Sequence, residues 1–245
     1  HLCFDPLGPR AERLADIARL AGWWARYGGE DALRGVYQPP AAISREVVAI
    51  IGKLGAAGGA EAGVDDEELR ARLVALGSDA VPGIVGVGLK YPAGFATKRA
   101  ILCRVLGEIG HPDAVPALVA ALRDPVISVA AWACDSLDRI DDDRALPAMR
   151  RYHQRLLSLA SWDGMPASAG APETLIAMAA GACYRFGDER VESDLVGLLL
   201  CEVPGARRIA YEQLRRRFGG ELELDPDGTA DERRRAVERW QAGRR

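Results

Sequence analysis

The chain has 245 residues, 49% of them hydrophobic, which is enough to bury a continuous core as one elongated domain or as an array with decorated ends. Its 32 basic residues against 35 acidic ones leave a net charge of −3, so there is no electrostatic reason to expect a nucleic-acid partner. It contains no apolar run of the ~18 residues that a membrane-spanning helix needs. The charge is mildly uneven: residues from Gly205 onward carry +3 and the remainder −6. The five cysteines (Cys3, Cys103, Cys134, Cys183, Cys201) are odd in number, form no Cys-x-x-Cys pair and fall mostly in apolar helical patterns, so they read as reduced thiols. A cytoplasmic location is expected; a chain starting at His1 fits an exported protein after leader cleavage as well.

Residues 1–42 read as an N-terminal helical cap. Leu14, Ile17, Leu20, Ala21 and Trp24 recur at helical spacing, Gly28-Gly29 stops the helix, and Trp23, Trp24 and Tyr27 are suited to plugging the open end of a repeat array. Pro39-Pro40 breaks the chain, and Ser44 is the expected cap of a helix from Arg45 to Leu54. The glycines at 52, 55, 58 and 59 close a helix and lead into a Gly-Ala linker, the reverse of the strand-to-helix context of a phosphate-binding loop. Asp65 with Glu68 forms a capping pair for a helix from Asp66 to Leu76.

From Ala80 the sequence repeats. Val81-Pro82, Val115-Pro116 and Leu146-Pro147 each open an apolar helix, and the intervening helices end alike in Leu106-Gly107-Glu108-Ile109-Gly110 and Leu137-Asp138-Arg139-Ile140-Asp141. Spacing of this order predicts stacked helical hairpins, because one hairpin cannot bury its apolar face alone. Helices are expected over Ala80–Leu89 and Phe95–Ile109, Asp113–Leu122 and Val126–Ile140, Asp143–Leu159 and Glu173–Phe186, then Val191–Leu200 and Gly205–Phe218. Ser78, Asp142 and Asp188 stand where caps are wanted, which also explains the Asp141-Asp142-Asp143 run without a metal. Residues 161–172, with Trp162, lengthen the third pair, and insertions in repeat arrays often carry binding specificity. Residues 220–245 read as a turn at Asp225-Pro226-Asp227-Gly228 and a capping helix from Ala230 to Trp240. The fold class is therefore all-α, an α-solenoid spanning 43–219 between atypical ends.

The run Ala114-Val115-Pro116-Ala117-Leu118, closing at Leu122-Arg123-Asp124-Pro125 before an Ala-rich helix, resembles the short bacterial HEAT-like repeat named after phycobilisome lyases. The resemblance covers roughly residues 45–218, and Tyr211 to Trp240 also resembles the tail of bacterial HEAT-repeat proteins of unassigned function. It implies a right-handed superhelix whose second helices line the concave face, and a role as scaffold or binding module. Some members are bilin lyases. Distant HEAT-like relatives are alkylpurine DNA glycosylases with strongly basic concave surfaces, which the acidic balance here opposes.

On Val126–Ile140 the core stripe leaves Ser128, Trp132, Asp135 and Arg139 on the opposite face. The repeat offset places Thr97, Ile101, Arg104 and Glu108 beside them from the preceding repeat, and Thr174, Met178, Gly181 and Arg185 from the following one. An apolar ridge of Ile101, Trp132 and Met178, flanked by Arg104, Asp135, Arg139 and Arg185, is the composition of a groove for a peptide or small ligand. With Trp162 these form the expected binding set, for a protein or peptide partner and with no cofactor. The alternative is that Trp132 packs on a neighbouring helix and the charges pair along the surface. Cys103 and Cys134, one repeat apart, suggest small-residue packing before thiol chemistry, and the three histidines (His1, His111, His153) supply neither a catalytic trio nor metal-ligand spacing. A non-catalytic interaction module is thus the leading reading, with a bilin-lyase-like tetrapyrrole chaperone and a nucleic-acid binder as alternatives.

Overall fold

Proline and cap chemistry punctuate the array. The computed structural model describes residues 39–55, 66–159, 171–219 and 222–244, and among these there is no strand. The N-terminal cap with Trp23, Trp24 and Tyr27, the Gly58-Gly59 linker, Asp65 and the 161–170 part of the insertion with Trp162 lie outside the described residues. Five hairpins follow one another: α1 (Ala41–Lys53) with α2 (Asp66–Ala75), α3 (Val81–Gly86) with α4 (Ala96–Ile109), α5 (Val115–Ala121) with α6 (Ile127–Ile140), α7 (Leu146–Leu157) with α8 (Pro172–Arg185), and α9 (Glu192–Leu198) with α10 (Pro204–Phe218). Helix α11 (Ala230–Ala242) closes the array. The protein is an all-α solenoid.

Pro82, Pro116 and Pro147 sit in the first turns of α3, α5 and α7, and Pro172 and Pro204 do the same for α8 and α10. There a missing N–H sacrifices no helical hydrogen bond. Short 3-10 turns precede four of the first helices, and three of them are capped by a side chain two residues upstream of the donor. His111 Nδ1 accepts from the Asp113 N–H, Asp142 from Arg144, and Asp188 from Arg190. Burial alone would raise the carboxyls of Asp142 and Asp188, yet hydrogen bonds from Arg144, and from Arg190 and Arg150, hold both below the usual carboxylate range.

Two expected caps are placed differently. Ser78 lies inside the 3-10 turn Gly77–Ala80 and makes no cap, and α1 starts at Ala41, so that Ser44 falls within it and its hydroxyl donates to Pro39 O. Helix α1 begins directly after Pro40, and a proline imposes that boundary more strongly than a serine four residues on.

The second helices (α2, α4, α6, α8, α10) stack side by side as one row, and the first helices form the other, with α1, α3 and α5 each touching the turn that opens the next first helix. One buried apolar cluster runs through both rows from Val47 to Trp240. The tightest point is between α4 and α6. A Cβ added at Gly107 would lie 2.5 Å from Ser136 Oγ and 2.7 Å from Ser136 Cα, so the two backbones approach as only glycine allows. Ser136, fully buried, donates from Oγ to Cys103 O at 2.8 Å, which satisfies its hydroxyl across the same interface. Both helices end on a left-handed residue one repeat apart, Gly110 (φ 71°) and Asp141 (φ 59°). At the C-terminal end Phe218 and Trp240 meet edge-on at 5.1 Å, with the Arg244 guanidinium over both rings.

Gly107→Ala should lower stability by about 1–3 kcal/mol, because its methyl meets backbone rather than a movable side chain. Gly52→Ala, in α1 with nothing within 4 Å of its Cβ position, should instead raise it by about 0.5–1 kcal/mol. Urea denaturation of both variants gives the comparison. A second expectation concerns His153 of α7, which is 2% exposed with Nε2 3.5 Å from Asp194 Oδ2 of α9. Burial pushes this imidazole below its ordinary value of 6.5, against the opposing charges of Asp194 and Asp188. The unfolded chain therefore takes up a proton below pH 6.5 that the folded chain refuses, so the stability present above that pH is lost as pH falls. The Tm should drop between about pH 7.5 and pH 5.5, and less so in His153→Gln.

Candidate second-row recognition face

The burial of α6 decides which way Trp132 points. Val129, Ala130, Ala133, Cys134, Ser136 and Leu137 fill the side of α6 facing the neighbouring helices, which leaves Trp132 outward at 37% exposure. Trp240, the other tryptophan among the described residues, is only 6% exposed. From the adjacent α4, the Arg104 guanidinium stands over the Trp132 ring, 5.4 Å from its centroid. That contact links two repeats through a cation and an aromatic face.

Arg104 is itself held. Its Nε donates to Glu108 Oε1 at 2.9 Å, the other Glu108 oxygen accepts from Arg70 of α2, and Arg70 also pairs with Glu67. The Arg70 hydrogen bond keeps the exposed Glu67 carboxyl below its ordinary range. An alternating line of charges thus runs across α2 and α4 and ends on the Trp132 ring of α6.

The remaining nominated residues divide. Asp135 accepts from Arg139 Nε at 2.8 Å along α6, so this pair is satisfied within one helix. Arg185 reaches from α8 to Asp138 of α6, with 2.6 Å between Nη2 and Oδ1. Desolvation pushes the Asp138 carboxyl up, while the Arg185 contact works against that rise. Ile101 and Met178 are half-buried and pack on the core, so the apolar ridge is low on either side of Trp132. Gly181 of α8 is covered rather than open, because its Cβ position lies 2.9 Å from Gln213 Cγ of α10. Trp162 lies outside the described residues.

The repeat offset placed Glu108 on this face without pairing it to Arg104, and Arg70, Glu67 and Asp138 were not among the expected residues. Glu108 was accessible through its i,i+4 spacing from Arg104. Arg70 and Asp138 act between repeats, where only the stacking fixes who meets whom.

Cys103, Cys134 and Cys183 are buried free thiols, and burial pushes those of Cys103 and Cys183 up to about 12. A thiol so raised is almost wholly protonated at neutral pH and is a poor nucleophile. Among the described residues no group of three or more His, Cys, Asp or Glu is placed to hold a metal ion. No single helix among them is long and apolar enough to cross a membrane. Among the described residues, clefts open between first-row helices. One, of about 410 Å³, lies between α3 and α5 over the Arg99–Asp124 pair, and another, of about 130 Å³, lies between α5 and α7. Neither contains a nominated residue.

A family model for HEAT repeats matches residues 93–155, the span from the start of α4 to near the end of α7. The match supports a HEAT-like repeat protein and is centred on the hairpin that carries Trp132. No curated protein and no solved structure matches the chain.

Alkylation with iodoacetamide followed by peptide mass mapping should leave Cys103, Cys134 and Cys183 unmodified in the native protein and modify all three after denaturation. Native labelling of Cys103 or Cys134 at the rate of a free thiol would reopen covalent chemistry at these positions.

Proposed function

We propose that this protein is a non-catalytic interaction module that takes a protein or peptide partner on its second-row face. The observation that carries this reading is the exposed Trp132 ring, fixed under the Arg104 guanidinium where adjacent repeats meet. A large aromatic already held in one geometry loses little conformational freedom on binding, which is why such residues dominate interface energetics. Around it, Asp135 with Arg139 and Asp138 with Arg185 offer paired charges of both signs, suited to orienting a polypeptide and unsuited to a uniformly anionic backbone. The HEAT-repeat match supports the same use. The free, reduced cysteines fit a cytoplasmic setting, in which the module would serve as one subunit of a larger assembly.

Trp132→Ala is the direct test. The tagged protein and the variant are used to capture partners from the source cells at moderate salt, followed by quantitative mass spectrometry and titration of whatever is recovered. A partner lost from the variant by about 2 kcal/mol or more of affinity is expected, with a stability loss below the roughly 3–5 kcal/mol of a fully buried tryptophan. Equal recovery by both proteins contradicts the reading. Binding that disappears steeply with added salt and leaves only nucleic acid in the eluate contradicts it as well.

A further inference from the structure

Among the described residues, most arginines take part in ion pairs. Arg99 is paired with Asp124, Arg139 with Asp135, Arg144 with Asp142, and Arg150 with Asp188. Of the described arginines without an ion pair, three cluster in one place. Arg123, Arg151 and Arg155 line the small cleft between α5 and α7, and none of them makes an ion pair among the described residues. Arg151 and Arg155 share one face of α7 at i,i+4, and repeat stacking brings Arg123 to them from the turn after α5. Like charges so placed repel. They also lie in the part of the sequence whose net charge is acidic.

The cleft has a floor as well as a rim. Val119, Leu122 and Tyr152 line it, and the Arg155 guanidinium lies 5.2 Å from the Tyr152 ring centroid, which fixes its direction. Tyr152 is 3% exposed, and its hydroxyl has no hydrogen-bond partner among the described residues. A volume of about 130 Å³ is of the size of one small anionic group. Guanidinium groups match the oxygens of phosphate in a bidentate fashion, and a dianion neutralises more than one of them at once. An apolar floor favours an organic substituent.

We propose that the α5–α7 cleft is a binding site for a phosphate monoester, with Arg123, Arg151 and Arg155 holding the phosphate and Val119, Leu122 and Tyr152 receiving the organic part. The site is on the first row, so it is separate from the Trp132 face and does not depend on the function proposed for that face.

The test uses the 245-residue chain at about pH 7.5, where the phosphate is largely dianionic, and low ionic strength. Phenyl phosphate and inorganic phosphate are titrated calorimetrically, with sodium chloride at matched ionic strength as the reference. Saturable one-site binding is expected, weakened at least tenfold in Arg151→Gln/Arg155→Gln and in Arg123→Gln, and unchanged in Arg239→Gln on α11. Without ligand, the double variant should melt no lower than the parent, since a repulsion has been removed. Tighter binding of phenyl phosphate than of inorganic phosphate is expected, and equal affinities overturn the assignment of the floor to an organic part. Absence of saturable binding, binding undiminished in the Arg151/Arg155 variant, or an equal response to chloride overturns the site as a whole.

Discussion

Gly107 and Ser136 set the distance on which the rest of the array depends. With no side chain on one helix and a small hydroxyl on the other, α4 and α6 come together backbone to backbone. The Ser136 hydroxyl, which that approach would otherwise strand, is satisfied by Cys103 O. Moving these helices apart by a methyl group would change the register of every contact built on their outer surface. Arg104 reaches the Trp132 ring because α4 and α6 are this close, and its own direction is set by Glu108.

The exposed face is therefore a product of the core. Burial of one side of α6 turns Trp132 outward, close packing brings Arg104 over it, and the Glu108–Arg70 contact extends the arrangement to α2. Each link joins neighbouring repeats only, as expected of a quasi-one-dimensional fold. Ion pairs at half-exposed sites add little to stability individually. Their effect here is to hold long side chains in one geometry and so fix what a partner would meet.

Much of this was legible in the sequence because it is periodic. The prolines at 82, 116 and 147 marked helix starts, and the repeat register placed Asp141 where the preceding repeat has Gly110, both left-handed in the structure. Helical phase alone put Trp132 outside the core. What escaped has a common cause: Gly107 gives no hydropathy signal, Asp138 meets Arg185 only once α6 and α8 are stacked, and Arg123 joins Arg151 and Arg155 only through the α5–α7 interface. Ser44 and Ser78 misled for the opposite reason. Serine is a good cap wherever a helix starts, but the start itself is fixed by Pro40 in one case and by a 3-10 turn in the other.

If close packing of α4 on α6 is what the array is built around, local opening should be hardest there and easier toward both ends. Native-state hydrogen exchange read by mass spectrometry measures this directly. The account predicts that the amides of Ala96–Ile109 and Ile127–Ile140 exchange most slowly, with protection falling through α8 and α10 to α11 on one side and through α2 to α1 on the other. Uniform protection along the chain, or a maximum in α10 and α11, would contradict it.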